Sequence, residues 1–219
     1  MNTSPEIRRT HHPFIAGFWL ILAIPVFAFI VLPIMLSLGV DDLYTPPGLF
    51  IMFIMHFVSG YLWARSLGTR SGLPHDRMLN IFGGLGFALG VVGILILYTS
   101  GSTVADAINR WVESFEGVGN LEFGALFAPW TGLACGAAGF ALGLGLRDLK
   151  LALKLLALGF ITGLGLYLAI MFIMELLGFK VGSGRPVMLP TTFLSMWSAA
   201  LVGSALFGKM VARSKVNEN

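Results

Sequence analysis

The sequence is short of charge and nearly devoid of cysteine. Only 11% of its 219 residues are Asp, Glu, Lys or Arg, against roughly a quarter in an ordinary soluble domain. The single cysteine, Cys135, excludes an intrachain disulfide and a cysteine-based metal cluster. It falls inside an apolar run, where a thiol packs as a small hydrophobe. Catalytic signatures are missing as well. The sequence has no His-Glu-x-x-His pair, no paired intramembrane carboxylates, and no glycine-rich loop followed by a phosphate-binding lysine. Gly182-Ser183-Gly184 lies in a short outer loop without a following helix or a midplane histidine on an adjacent span. An enzyme is therefore not the expectation.

Apolar residues make up 56% of the chain, and several uncharged runs reach the roughly 20 residues needed to cross a hydrocarbon core. The spacing of these runs predicts an all-α bundle of six transmembrane helices. They cover about 14–38, 49–67, 78–98, 123–146, from the basic turn at Arg147 and Lys150 to about 177, and 187–207. The flanks 1–13 and 209–219 read as a polar leading segment and a frayed tail, with 14–208 as one domain. The first run is too long for a signal-peptide core of about 7–15 residues and is read as a retained span, kinked at Pro25 and Pro33.

The net charge of +3 does not point to nucleic acid, because the basic residues sit in short loops beside the spans. With six spans and both termini cytoplasmic, the inner segments hold eleven of the 14 basic residues, and only Arg110, Lys180 and Arg185 fall outside. Asp41, Asp42, Asp106, Glu113, Glu116, Glu122 and Glu175 collect on the outer side. This positive-inside bias fixes the expected orientation, in a membrane of the bacterial cytoplasmic type. Between spans three and four, Ala105, Ile108, Trp111, Val112 and Phe115 recur at helical spacing, with charged residues opposite. They predict a short amphipathic helix in the outer loop, lying on the membrane surface or capping the bundle.

Glycine is abundant, at 28 residues. In water each would cost a helix about 0.8–1.0 kcal/mol relative to Ala; in lipid, missing side chains let two backbones approach and gain packing contacts. Gly86 and Gly90 in one run, Gly132, Gly136, Gly139 and Gly143 in another, and Gly159 and Gly163 in a third mark such seams. The bare face of the first is expected against the glycine face of the second. Gly-Phe-Ala-Leu-Gly occurs at both 86–90 and 139–143. The two copies fall in non-corresponding spans of any inverted duplication, so chance in a glycine-rich chain accounts for them.

Polar groups at depth are few. His56 lies about eight residues, or roughly 12 Å, inside its helix, and is the one ionisable group expected near the midplane. It is the candidate ligand residue, with Cys135, Thr162, Trp197 and Ser198 lining a small cavity and Glu175 near the outer mouth. A membrane histidine can ligate haem or pigment metal. His11, His12 and His75 all fall outside the spans, so one chain cannot offer a bis-histidine pair. The bland alternatives are an interhelical hydrogen bond for His56 and an interfacial ion pair for Glu175 with Lys180 or Arg185.

The function expected is thus a non-enzymatic bundle that binds or transports a small ligand. The competing reading is a structural subunit of a larger, cofactor-bearing membrane complex. Besides the lipid bilayer, other membrane subunits or further copies of the chain are the partners considered.

Overall fold

The computed structural model describes residues 12–37, 39, 45–73, 76–99, 101, 103–179 and 188–216. The arginines of the leading segment, Asp41 and Asp42, His75, and the loop carrying Lys180 and Arg185 lie outside these residues. Among those described, every regular element is helical.

The chain opens with a 3-10 turn, Pro13–Gly17, followed by α1 (Phe18–Val26), a π turn, Phe27–Val31, and α2 (Leu32–Ser37). A single kinked span was the expectation here; residues 13–37 are helical throughout but change from 3-10 to α to π and back to α geometry. Pro25 and Pro33 supply the physical reason, since neither has an N–H for the carbonyl four residues earlier. The π turn falls between them and absorbs the mismatch.

Beyond it come α3 (Pro46–Arg70), α4 (Arg77–Thr99), α5 (Thr103–Glu113), α6 (Asn120–Gly145), α7 (Leu149–Leu176) and α8 (Met188–Val216). Five of these, α3, α4, α6, α7 and α8, are long and apolar enough to cross a membrane. Their outward faces match. Phe50, Ile161 and Leu176 are 63%, 67% and 70% exposed, which fits contact with lipid tails far better than contact with water.

α3 starts where Pro46 and Pro47 have no N–H to lose, with Thr45 Oγ1 accepting from the Gly48 amide at 3.4 Å. α8 continues as helix to Val216, well into the stretch expected as a frayed tail. The helices pack in a closed order: α1 beside α3, then α4, α6, α7 and α8, which returns to α1 and the leading 3-10 turn. The main core lies toward one end, where Trp63, Leu67, Leu79, Leu142, Leu155 and Phe207 are buried together. Trp63 Nε1 donates to Ser204 Oγ at 2.9 Å, and that hydroxyl donates to the Ala200 carbonyl at 2.6 Å.

α6 and α7 share the largest helix–helix interface. Their turn is closed by the Asp148 amide on the Gly143 carbonyl at 3.1 Å and by Asp148 Oδ1 accepting from the Leu151 amide at 2.8 Å. Arg147 takes a left-handed conformation there, φ 60°, at the position where such turns ordinarily carry glycine.

The amphipathic segment forms α5, with Ala105 and Ile108 buried and Asp106, Asn109, Arg110 and Glu113 exposed. α6 was expected to begin near 123 and to enter through Pro129 and Trp130. It begins at Asn120, and Pro129 lies inside it. Proline lacks the N–H that the Ala125 carbonyl needs, and Trp111 of α5 supplies one, its Nε1 lying 3.0 Å from that oxygen. Trp111→Phe is therefore expected to cost about 1–2 kcal/mol. Combined with Pro129→Ala, which restores the helical donor, the cost should largely vanish. Thermal unfolding of the two single variants and the double variant checks this; additive losses would refute the coupling.

Candidate ligand site

His56 lies on the buried stripe of α3 that also carries Gly60, Trp63, Ala64 and Leu67. Its Nδ1 is 2.7 Å from the Met52 carbonyl one turn back. As the donor of that bond, the imidazole keeps its proton on Nδ1. The ring rests against Phe87 of α4, centroids 5.5 Å apart. His56 thus sits at the α3–α4 contact and is hydrogen-bonded within its own helix.

The other expected cavity residues do not converge on it. Cys135 lies on α6 beside α7, and Thr162 and Ser198 are half-buried on α7 and α8. Among the described residues no hydrogen bond or ring contact joins His56 to any of the three. Trp197, on α8, is 38% exposed and turns partly out of the bundle. Asn80 is buried near the start of α4, and its side-chain Nδ2 has no hydrogen-bond partner among the described residues. Among the described residues no group of three or more His, Cys, Asp or Glu is placed to hold a metal ion.

Glu175 has a definite position. Its Oε2 accepts from the Asn120 amide at 2.8 Å, at the first residue of α6. The buried Asn120 side chain donates in turn to the Phe179 carbonyl. A carboxylate at the end of one helix therefore caps the start of its neighbour, where unsatisfied N–H groups and the helix dipole favour negative charge.

The glycine positions stand at close backbone approaches. A Cβ built at Gly159 would lie 2.5 Å from the Cys135 carbonyl oxygen, and one at Gly163 2.6 Å from that of Thr131. Gly136 and Gly139 face Leu156 and Leu155 across the same interface, and Gly143 faces Ala152. Gly86 and Gly90 stand against α6, at its alanine side: their nearest neighbours are Ala137, Ala138, Ala141 and Ala134. The glycines of α6 are turned toward α7 instead. The two copies of the pentapeptide thus meet different partners.

What sequence reasoning missed is a groove between the first helical segment and α3. Ile51, Ile54, Met55, Val58 and Leu62 recur at every third or fourth position of α3 and line one wall. Trp19, Leu22, Val26 and Val31 line the other. The volume is about 430 Å³, within the range of about 300–1,000 Å³ typical of small-molecule sites. At Trp19 and Leu62 it continues into a second hollow of about 560 Å³ bounded by Arg65, Ser66, Thr69 and Arg70. The available signal was the periodicity of α3, in which 51, 54, 58, 62, 65 and 69 form one unbroken stripe. Arg65 and Arg70 had been counted only as topology charges.

No protein-family model, curated protein or solved structure matches the chain. Its own helices therefore carry the classification, and they are those of a multi-pass membrane protein.

Proposed function

We propose that the protein is a six-span, non-enzymatic membrane bundle that takes up a small, largely apolar ligand from the bilayer through the α1–α3 groove. The observation that carries this reading is the groove itself, apolar along most of its length and walled on one side by a helix that carries a π turn. Such π turns inside helices are frequent at functional sites. The leading segment starts at the far end of α3, where Pro13 and Ser71 both lie beside Gly208 and Trp19 lines the hollow of Leu62, Arg65 and Thr69, and so runs antiparallel to it. That course supports its counting as the sixth span.

The inner side is assigned by charge. Gly208 lies beside Pro13 and Ser71, and Leu79 lies between Gly68 and Gly145, so these positions share one end of the bundle. Arg65, Arg70, Arg77, Arg147, Lys150, Lys209 and Arg213 gather about that end. Glu122 and Glu175 lie at the other. Positive-inside bias then puts the basic end, with both flanks of the bundle, in the cytoplasm and places α5 on the outer surface. The glycine approaches hold α4, α6 and α7 together as a packed frame, and Gly17 holds the start of the leading segment against Ala200 of α8 in the same way. A cytoplasmic membrane of bacterial type suits this arrangement.

The test uses the full chain in mild detergent and a panel of apolar and weakly polar metabolites together with membrane lipids. Ligand-dependent thermal stabilisation is expected in the natural protein and is expected to be lost in Ile54→Trp, which fills the groove. His56→Ala, off the groove wall, should retain it. Absence of both stabilisation and uptake across the panel would sink the reading. A bound chromophore lost on substitution of His56 would favour the cofactor-bearing subunit instead.

A further inference from the structure

Resting on that groove as the ligand site, we infer that its occupant is an anionic phospholipid of the inner leaflet, with its phosphate at Arg65 and Arg70 and an acyl chain along α3. Three observations converge on this chemistry. The first is length. From Leu62 to Ile51 the apolar wall of α3 rises about 16 Å, close to half of a hydrocarbon core about 30 Å thick. It accommodates one leaflet's acyl chain.

The second is the change of chemistry along a single stripe. Past Leu62 the lining switches from aliphatic side chains to Arg65, Ser66, Thr69 and Arg70, with no carboxylate among them. Trp19 stands at the switch and lines both hollows, where an amphipathic ring belongs at a headgroup boundary.

The third is the arrangement of the arginines. Arg70 Nε donates to Ser66 Oγ at 3.2 Å, which orients the guanidinium and leaves both terminal NH₂ groups for an acceptor. Among the described residues neither Arg65 nor Arg70 is ion-paired. A planar fork of this kind matches phosphate oxygens bidentately, and basic hollows between helices on the cytoplasmic side suit anionic headgroups. The Ser66 and Thr69 hydroxyls flank the same hollow.

The test measures lipid binding to the full-length protein by native mass spectrometry, with phosphatidylglycerol and phosphatidylcholine of identical chains. The anionic lipid should bind about 25-fold more tightly. Each of Arg65→Gln and Arg70→Gln should remove about fivefold of that preference, and the double variant should bind the two lipids equally. Arg77→Gln, on the same end but outside the groove, should keep the full preference. Val58→Trp should abolish binding of both lipids. Inorganic phosphate at millimolar concentration should not compete, because it cannot use the apolar wall.

Equal binding of the two lipids by the natural protein would overturn the headgroup assignment while leaving the groove as a ligand site. A preference surviving in the double glutamine variant would overturn it too, as would full competition by inorganic phosphate. Lipid binding indifferent to Val58→Trp would remove the groove, and with it the proposed function.

Discussion

Gly159→Leu and Gly163→Leu are expected to abolish the folded bundle, whereas Gly165→Leu on the same helix leaves it intact. At the first two positions a Cβ would sit 2.5–2.6 Å from backbone oxygens of α6. Those atoms belong to a helix and cannot step aside as a flexible side chain can. A leucine adds three further carbons in the same direction, so the α6–α7 interface must separate along its length. Overpacking a well-filled interior costs about 1–3 kcal/mol where side chains can shift; against rigid backbone the loss exceeds that. It consumes a large share of a total stability of about 5–15 kcal/mol. Gly165 has nothing within 4 Å of its Cβ direction, and neither does Gly93 of α4. Gly93→Leu is thus the matching control for Gly90→Leu, whose Cβ would come within 3.0 Å of α6. Monodispersity and thermal unfolding in detergent give the readout. If Gly159→Leu unfolds within about 2 °C of the natural protein, less than the shift of roughly 1 kcal/mol in a chain this size, the close-packing account is wrong.

Glu175→Ala is expected to cost about 2 kcal/mol, in line with hydrogen bonds made to charged groups. It exposes the first amide of α6 and removes the charge that complements the helix dipole. Glu175→Gln keeps an oxygen acceptor and should lose about half as much. Amide exchange at Asn120 should rise in both variants, more strongly in the alanine one. This outcome separates the cap from a cation-binding role at the outer mouth, the alternative that residue type alone had allowed. A cation site would change ligand response while leaving stability and Asn120 exchange untouched.

The comparison of sequence with structure turns on whether a feature depends on near neighbours. The amphipathic pattern at 103–113 was legible because the helical period is contained in the segment. The five long apolar helices were legible for the same reason. The depth of His56 followed from its position along α3, but its facing did not. Which side of a helix meets another helix depends on which helix lies beside it, and α4 with Phe87 is that neighbour. The seam of Gly86 and Gly90 was matched to α6 by the smallness of its residues, yet alanine serves as well as glycine against a bare backbone. The α6 glycines were thereby left for α7. Pro129 and Trp130 read as the entry to span four, because the donor that lets a helix run on through Pro129 comes from Trp111, on a separate helix. The groove was hidden for a similar reason. Arg65 and Arg70 satisfied the charge bias, and the α3 stripe that runs on into Arg65 and Thr69 does not say that Trp19 lies across from it.

The gap at Pro129 also sets a sequence of events during synthesis. α5 leaves the ribosome ahead of α6, and in the proposed orientation it waits in water on the far side of the membrane. α6 must then be inserted with the Ala125 carbonyl unmet in its outer half, until Trp111 folds back onto it. The unmet carbonyl costs about 1–2 kcal/mol, so the outer turns of α6 are expected to tighten only when that contact forms. The late step in maturation is thus the docking of a surface helix, after the apolar ones are in place. A helix that makes no crossing of its own decides when a neighbouring crossing is complete.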